Sequence, residues 1–206
     1  MSALNDFGTE ELAAELLKRK DFRGADGSIP HGQVYELFEK GIPIICTDGI
    51  AVRHSSDGEI EAMAIRRNTL DKGKLCSVGG RIFYGESVEE AVRRHFMSDL
   101  GCNIRPLTPW WTPFFVLQTR PIAEGPKKDF GFEPSKHGVS LYHLVALENE
   151  PTKFGSTPYG GQEASGVEWF SLEDFPQDEA FGFGQHLPFR LAFAKAAEIL
   201  KVRGQF

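Results

Sequence analysis

An α/β layered sandwich around a mixed β-sheet is the fold this sequence predicts, and three observations carry it. β-Branched and apolar runs separated by turn signals crowd the middle of the chain, one strongly capped helix sits among them, and an amphipathic helix closes it. The 206 residues, 41% hydrophobic and 25% charged, are enough for one domain to bury a core without disulfide staples.

Taken in order, Thr9 to Lys18 reads as a short helix, with Thr9 as N-cap, Glu10 and Glu11 at its positive end, and an apolar stripe of Leu12, Ala13, Leu16 and Leu17. The turn-rich stretch Gly24–Pro30 follows, so residues 1–30 read as an N-terminal helix and linker and 31–206 as the main domain. A second short helix over Gly32–Glu39 is stopped by Gly41 and Pro43. Ile42–Arg53 and Ile60–Arg66 are strands joined by the hairpin signal Ser55-Ser56-Asp57-Gly58. Leu75–Val78 and Ile82–Phe83 read as short strands broken by a tight turn at Gly79–Gly80. Ser87 to Leu100 is the best-marked helix, with Ser87 as cap, Glu89 and Glu90 in the first turn and Gly101 as its stop. Phe114–Gln118, Val139–Glu148 and Val167–Phe170 are further strands, and Leu187–Val202 is the closing helix. The loop from Thr119 to Gly138, about 20 residues long, exceeds the usual length of a connection and so reads as functional or unstructured.

Composition excludes several functions. With 23 basic against 29 acidic residues the formal charge is −6, which argues against a nucleic-acid or membrane-surface partner. The longest apolar run, Ile42–Cys46, is far short of a membrane span, and the N-terminus lacks the basic start and apolar stretch of a signal peptide. Cys46, Cys76 and Cys102 are odd in number and unclustered, as expected of reduced core thiols in a cytoplasmic protein.

On a helical wheel Val88, Val92 and Phe96 share one arc of the Ser87–Leu100 helix, and His95 and Asp99 fall inside it. An inward Asp needs a positive partner, because an unpaired buried carboxylate loses its hydration. The sequence offers Arg93 or Arg94, or a bound metal ion. Upstream, Gly79-Gly80-Arg81 opens backbone groups to a ligand, with Glu86 six residues after Gly80 and Arg94 eight residues after Glu86. Hard oxygen ligands of this kind suit Mg²⁺ or Mn²⁺, which in turn suit a diphosphate.

The stretch GGRIFYGESVEEAVRRHFMSDLG, Gly79–Gly101, resembles the Nudix box, a loop–helix–loop written G-x5-E-x7-R-E-U-x-E-E-x-G-U with U apolar. Gly80, Glu86, Arg94, Phe96, Asp99 and Gly101 fall in register, and Glu163, six residues before Trp169, resembles the late acidic loop of that family. The resemblance implies a Nudix-type α/β/α sandwich. His95 and Ser98 stand where a full box carries glutamates, so two of its three metal carboxylates are missing. This shortened box, with IPIICTDGIAV and AIRRN upstream, resembles the GDP-mannose mannosyl hydrolase branch, which uses one Mg²⁺ and attacks the sugar carbon. The resemblance implies a homodimeric hydrolase of a nucleoside diphosphate sugar. Its metal ligands would be the Gly79 carbonyl, Asp99 and Glu163, and its substrate contacts Tyr35, Asp48 and Arg67. The branch's late Gln-His pair, whose His is the general base, is replaced here by Glu163 and Ala164.

Chemically, such a hydrolysis needs charge neutralisation on the diphosphate, an activated water and a tolerable leaving group. Arg67 and Arg81 offer forked donors to phosphate oxygens, while Arg94 is placed either to touch substrate or to orient Glu86. For the water the candidates are Glu163, His143, His137 and His95; His143, in the alternating strand Ser140–Leu147, faces either site or core. Trp110, Trp111, Phe114 and Phe115 read as a base platform or as core and interface packing. Two other readings stand beside the hydrolase: a Nudix-fold binding or regulatory module that does not cut, and a structural protein without a small-molecule site.

Overall fold

The computed structural model describes residues 42–69, 71–120, 131–132, 137–155 and 162–203. The helices expected before Gly41 and the residue Tyr35 lie outside the described residues. Strand β1, Ile44–His54, turns through Ser55–Gly58 into β2, Ile60–Arg67. The turn closes with the Ser55 N–H donating to the Glu59 carbonyl at 2.8 Å, and Gly58 takes φ +83°, which a side chain would oppose. Short strands β3, Leu75–Cys76, and β4, Val78–Arg81, lead to helix α1, Val88–Leu100. After it come β5, Ile104–Pro106, β6, Phe115–Arg120, β7, Gly131–Phe132, β8, Gly138–Leu147, and β9, Ala164–Ser171; helix α2, His186–Arg203, is last.

The described strands form one mixed sheet in the order β3-β2-β1-β8-β6-β7, with β4 also on β1, β5 on β8 and β9 on β2. β1 and β8 run parallel in the register Asp48 to Tyr142, and β1 and β4 run antiparallel with Asp48 opposite Gly79. The strand alternation sorts the core into two layers. Ile50, Val52, Ala62, Ala64, Leu144 and Phe170 face α2, while Ala51, Met63, Ile65 and Val145 face α1 with its Val92, Phe96 and Leu100. Gly49 is what lets α1 lie so close, because a Cβ there would overlap the buried Phe96 ring.

The glycine pair departs from the expected turn: Gly79 and Gly80 lie inside β4, paired with Asp48 and Thr47. A Cβ on Gly79 would overlap the Thr47 carbonyl and the Asp48 carboxyl, and one on Gly80 would come to 2.7 Å from His95 Cε1. Two residues without side chains are thus squeezed between β1 on one side and α1 on the other. Ile82–Phe83 leaves the sheet, with the Ile82 N–H still donating to the Ile45 carbonyl at 3.1 Å. The short strands β5 and β7 carry too few residues to show an alternation in the sequence.

α1 begins as its sequence predicts. Ser87 Oγ accepts from the Glu90 N–H at 3.2 Å while the Ser87 N–H donates to Glu90 at 2.8 Å, a reciprocal capping box. Gly101 ends the helix in the left-handed conformation at φ 66°.

His143 belongs to this core. It sits next to Gly49 on the α1 face, fully buried, 5.6 Å from the Trp110 ring, and neither ring nitrogen has a hydrogen-bond partner among the described residues. Burial pushes it down to about 4 from an ordinary 6.5. The folded state therefore binds its proton later than the unfolded chain does, and the stability present above about pH 6.5 is lost as pH falls towards about 4. His143→Leu removes two unpaired buried nitrogens and this proton linkage. Unfolding in urea between pH 4 and 7 is expected to show stability at neutral pH equal to or above the parent's and a shallower acid limb.

Candidate functional site

The C-terminal end of α1 is where the sequence elements converge. Asp99 lies on its inner face, mostly buried, with Ser98 Oγ donating to it at 2.6 Å. Burial pushes its carboxyl up to about 6, and the charge of Glu163 acts in the same direction. Glu163 is brought there by backbone bonds: the Gly155 N–H donates to the Asp99 carbonyl at 2.8 Å, the Glu163 N–H to the Gly155 carbonyl at 2.8 Å, and the Asn68 N–H to the Glu163 carbonyl at 2.9 Å. Gly155 permits this, since a Cβ would strike the Ser98 carbonyl. Arg67, at a bulge of β2, meets Glu163 at 2.6 Å, with Thr69 Oγ1 donating to the same carboxylate oxygen at 3.2 Å. Asp99, Glu163 and Arg67 thus form one charged centre.

Glu86 and Arg94 form a second, separate unit. Arg94 grips both carboxylate oxygens at 2.7 and 2.9 Å, donates to the Arg81 carbonyl at 2.8 Å, and lies 3.8 Å over the Phe83 ring. The Phe83 N–H also donates to Glu86 at 2.9 Å. Burial alone would raise Glu86; the bonds from Arg94 and Phe83 outweigh it and hold the carboxyl below its ordinary value. Of the two roles open to Arg94, substrate contact gives way to fastening the loop before α1 onto the helix. Arg81 contributes its carbonyl to the same fastening.

His95 lies across Gly80, with Nε2 at 3.2 Å from the Arg81 carbonyl. A carbonyl accepts only, so Nε2 is the protonated nitrogen and donates. Burial, and then the Arg94 charge, push His95 down to about 4. It is a neutral clamp on β4. His143, open from the sequence to either site or core, packs in the core on the α1 face beside Trp110, because residue 142 faces α2 and its neighbour must face α1.

A recess opens beside Arg67 on the α2 face, with a volume of about 90 Å³ and walls from Asp48, Gly79, Tyr142, Phe183 and Gln185. Asp48 is buried, and Ser77 Oγ donates to it at 2.7 Å. Gln185 Oε1 accepts from the Ser77 N–H at 2.7 Å. Phe183 holds a left-handed backbone, φ 54°, its N–H donating to Asp71 at 3.2 Å, and its ring lies 5.3 Å from the Arg67 guanidinium. Ser77, Thr69, Phe183 and Gln185 are absent from the sequence-based site. The signal for the last two was FGFGQ, an aromatic between glycines directly before a helix. Of the aromatic group, Trp111 is exposed while Phe114 and Phe115 pack on Tyr142, so the four rings do not make one platform.

Among the described residues no three His, Cys, Asp or Glu side chains converge on a point. Asp99 and Glu163 are two carboxylates close enough for one to disfavour the other's charge. That set fits a single hard cation that keeps most of its water, the habit of Mg²⁺. No helix among the described residues is long and apolar enough to cross a membrane.

The family model described as "Domain of unknown function (DUF4916)" matches residues 30–182. No curated protein matches the chain. Among solved structures, a protein from Jonesia denitrificans described as a possible asymmetric diadenosine tetraphosphate (Ap4A) hydrolase is similar at 23% identity and TM-score 0.61, over 77% of this chain and 98% of that one. A MutT/nudix family protein from Enterococcus faecalis is similar at 14% identity and TM-score 0.57, over 96% of this chain and 75% of that one. The MutT protein from Methanosarcina mazei Go1 is similar at 18% identity and TM-score 0.54, over 76% and 97%. At these identities the likeness is one of fold: the mixed sheet between α1 and α2 is the Nudix fold.

Proposed function

This chain belongs to the DUF4916 family, and from that premise we propose that it is a Mg²⁺-dependent hydrolase of a nucleoside diphosphate derivative, a nucleotide sugar of the GDP-mannose type. The observation that carries the reading is the meeting of Asp99, Glu163 and Arg67 at the end of α1 in a Nudix fold. Asp99, Glu163 and the Gly79 carbonyl would hold the ion. When bound, Mg²⁺ neutralises the diphosphate and eases departure of the leaving group. Arg67 turns its fork from Glu163 towards phosphate oxygens as substrate arrives. With His95 committed to the Arg81 carbonyl, His143 in the core, and His137 just before β8 with its carbonyl on the Ile44 N–H, Glu163 is the candidate base that sits in the charged centre itself. Residues 31–206 would form the catalytic domain, acting as a cytoplasmic homodimer.

A second reading is a nucleotide-binding module that does not cut. The 2.6 Å pair of Glu163 with Arg67 favours it, since an internal cation already neutralises one of the two acids. The full-length chain incubated with GDP-mannose, UDP-glucose, ADP-ribose and Ap4A in ¹⁸O-water, with and without Mg²⁺, decides between them. Metal-dependent turnover supports the hydrolase: label in the free sugar marks attack at carbon, label in a phosphate marks attack at phosphorus. Binding without turnover, indifferent to metal, establishes the module.

A further inference from the structure

The recess beside Arg67 has a chemical character that the charged centre does not explain. Its volume of about 90 Å³ has room for about three waters, so the edge of a ligand can enter it and a whole ring, base or sugar, cannot. Its walls are polar and buried. Ser77 fixes the orientation of the Gln185 amide by donating its N–H to Oε1 at 2.7 Å. The amide's Nε2 makes no hydrogen bond among the described residues, so it is the donor this side chain offers the recess. Tyr142 is fully buried, and its hydroxyl, within reach of Ser77, has no hydrogen bond of good geometry among the described residues. Asp48 supplies an acceptor, held in place by Ser77 at 2.7 Å. Buried polar atoms left unpaired are costly, and they are found where a ligand completes them.

A donor, an acceptor and a hydroxyl that can serve as either, facing a space of a few oxygen atoms, match the edge of a polyol, whose hydroxyls each donate and accept. We propose that this recess is a hydroxyl-reading subsite in which Gln185, Asp48 and Tyr142 recognise the sugar of the substrate, while Arg67 at its rim holds the adjoining phosphate. The assignment rests on the nucleotide-sugar reading above. Phe183 is a positioning residue: its left-handed backbone, fastened to Asp71, places the ring against Arg67 where the two subsites join.

Two variants test it. Gln185→Glu keeps an oxygen for the Ser77 N–H and exchanges the recess-facing donor for an acceptor. Tyr142→Phe removes only the hydroxyl. Dissociation constants are measured by calorimetry for GDP-mannose, UDP-glucose and ADP-ribose, and for GDP, UDP and ADP, with Mg²⁺ and again with EDTA; melting temperature reports folding. Each variant is expected to weaken at least one sugar-bearing ligand by about 10- to 30-fold and its parent diphosphate by less than about twofold. Equal weakening of both ligand classes, or none, at an unchanged melting temperature overturns the subsite. Wild-type binding to the diphosphates with nothing gained from the sugar overturns it too and leaves the diphosphate site standing. Wild-type binding to no member of either panel overturns the nucleotide-sugar reading itself.

Discussion

Glu163→Gln is expected to lower turnover of the best nucleotide sugar by about 100- to 1,000-fold while moving the melting temperature little. The substitution keeps the side chain's shape. The amide oxygen can still accept from Arg67 and Thr69, which now reach the carboxylate at 2.6 and 3.2 Å. What disappears is one negative charge beside Asp99. That charge helps to push Asp99 up to about 6, behind the larger effect of burial, so its loss also weakens the site's attraction for a cation. Steady-state kinetics, a Mg²⁺ titration and a melting curve on one preparation separate these effects. An unchanged kcat would place Glu163 outside the chemistry.

Arg94→Ala is expected to act on stability first. It leaves Glu86, whose side chain is 13% exposed, with the Phe83 N–H as its remaining donor among the described residues. Removing one partner of a largely buried pair costs about 3 kcal/mol, or a fall of about 6–12 °C in melting temperature for a chain of this size. Because Glu86 is held below its ordinary 4.5, the pair contributes stability that is present above that pH and lost as pH falls through the folded-state value. Urea unfolding from pH 3 to 7 is expected to show this acid-labile contribution in the parent and its absence in the variant. Arg94→Lys restores it only in part, since an ammonium cannot grip two carboxylate oxygens and the Arg81 carbonyl together.

Much of the fold was legible because its signals are local. Ser87, Glu90 and Gly101 announce both ends of α1, and Ser55–Gly58 announces the hairpin. The wheel also placed His95 and Asp99 on the inner face, where both are found largely buried. What the residues could not disclose is what each inner group meets across the chain. Gly79 and Gly80 signal a backbone without side chains; whether that freedom serves a turn or a crowded strand depends on β1 and His95, distant in sequence. The same holds for His143, since alternation gives two faces and no rule for which one the site occupies. Gln185 and Phe183 reach the recess from the approach to α2, more than a hundred residues beyond Asp48, with no motif to join them.

The bonds that fasten Glu163 carry a consequence for how this molecule can change. The acid is tied on both sides, through Gly155 to the end of α1 and through Asn68 to the end of β2. Gly155 and Glu163 are joined by a 2.8 Å backbone bond, so the number of residues between them in sequence is uncoupled from the place where the acid ends up. Closing a longer excursion between fixed ends adds only about 0.6 kcal/mol per doubling of its length. The position is therefore a natural splice point: residues can be added or exchanged to reshape what approaches the centre without moving the carboxylate that defines it.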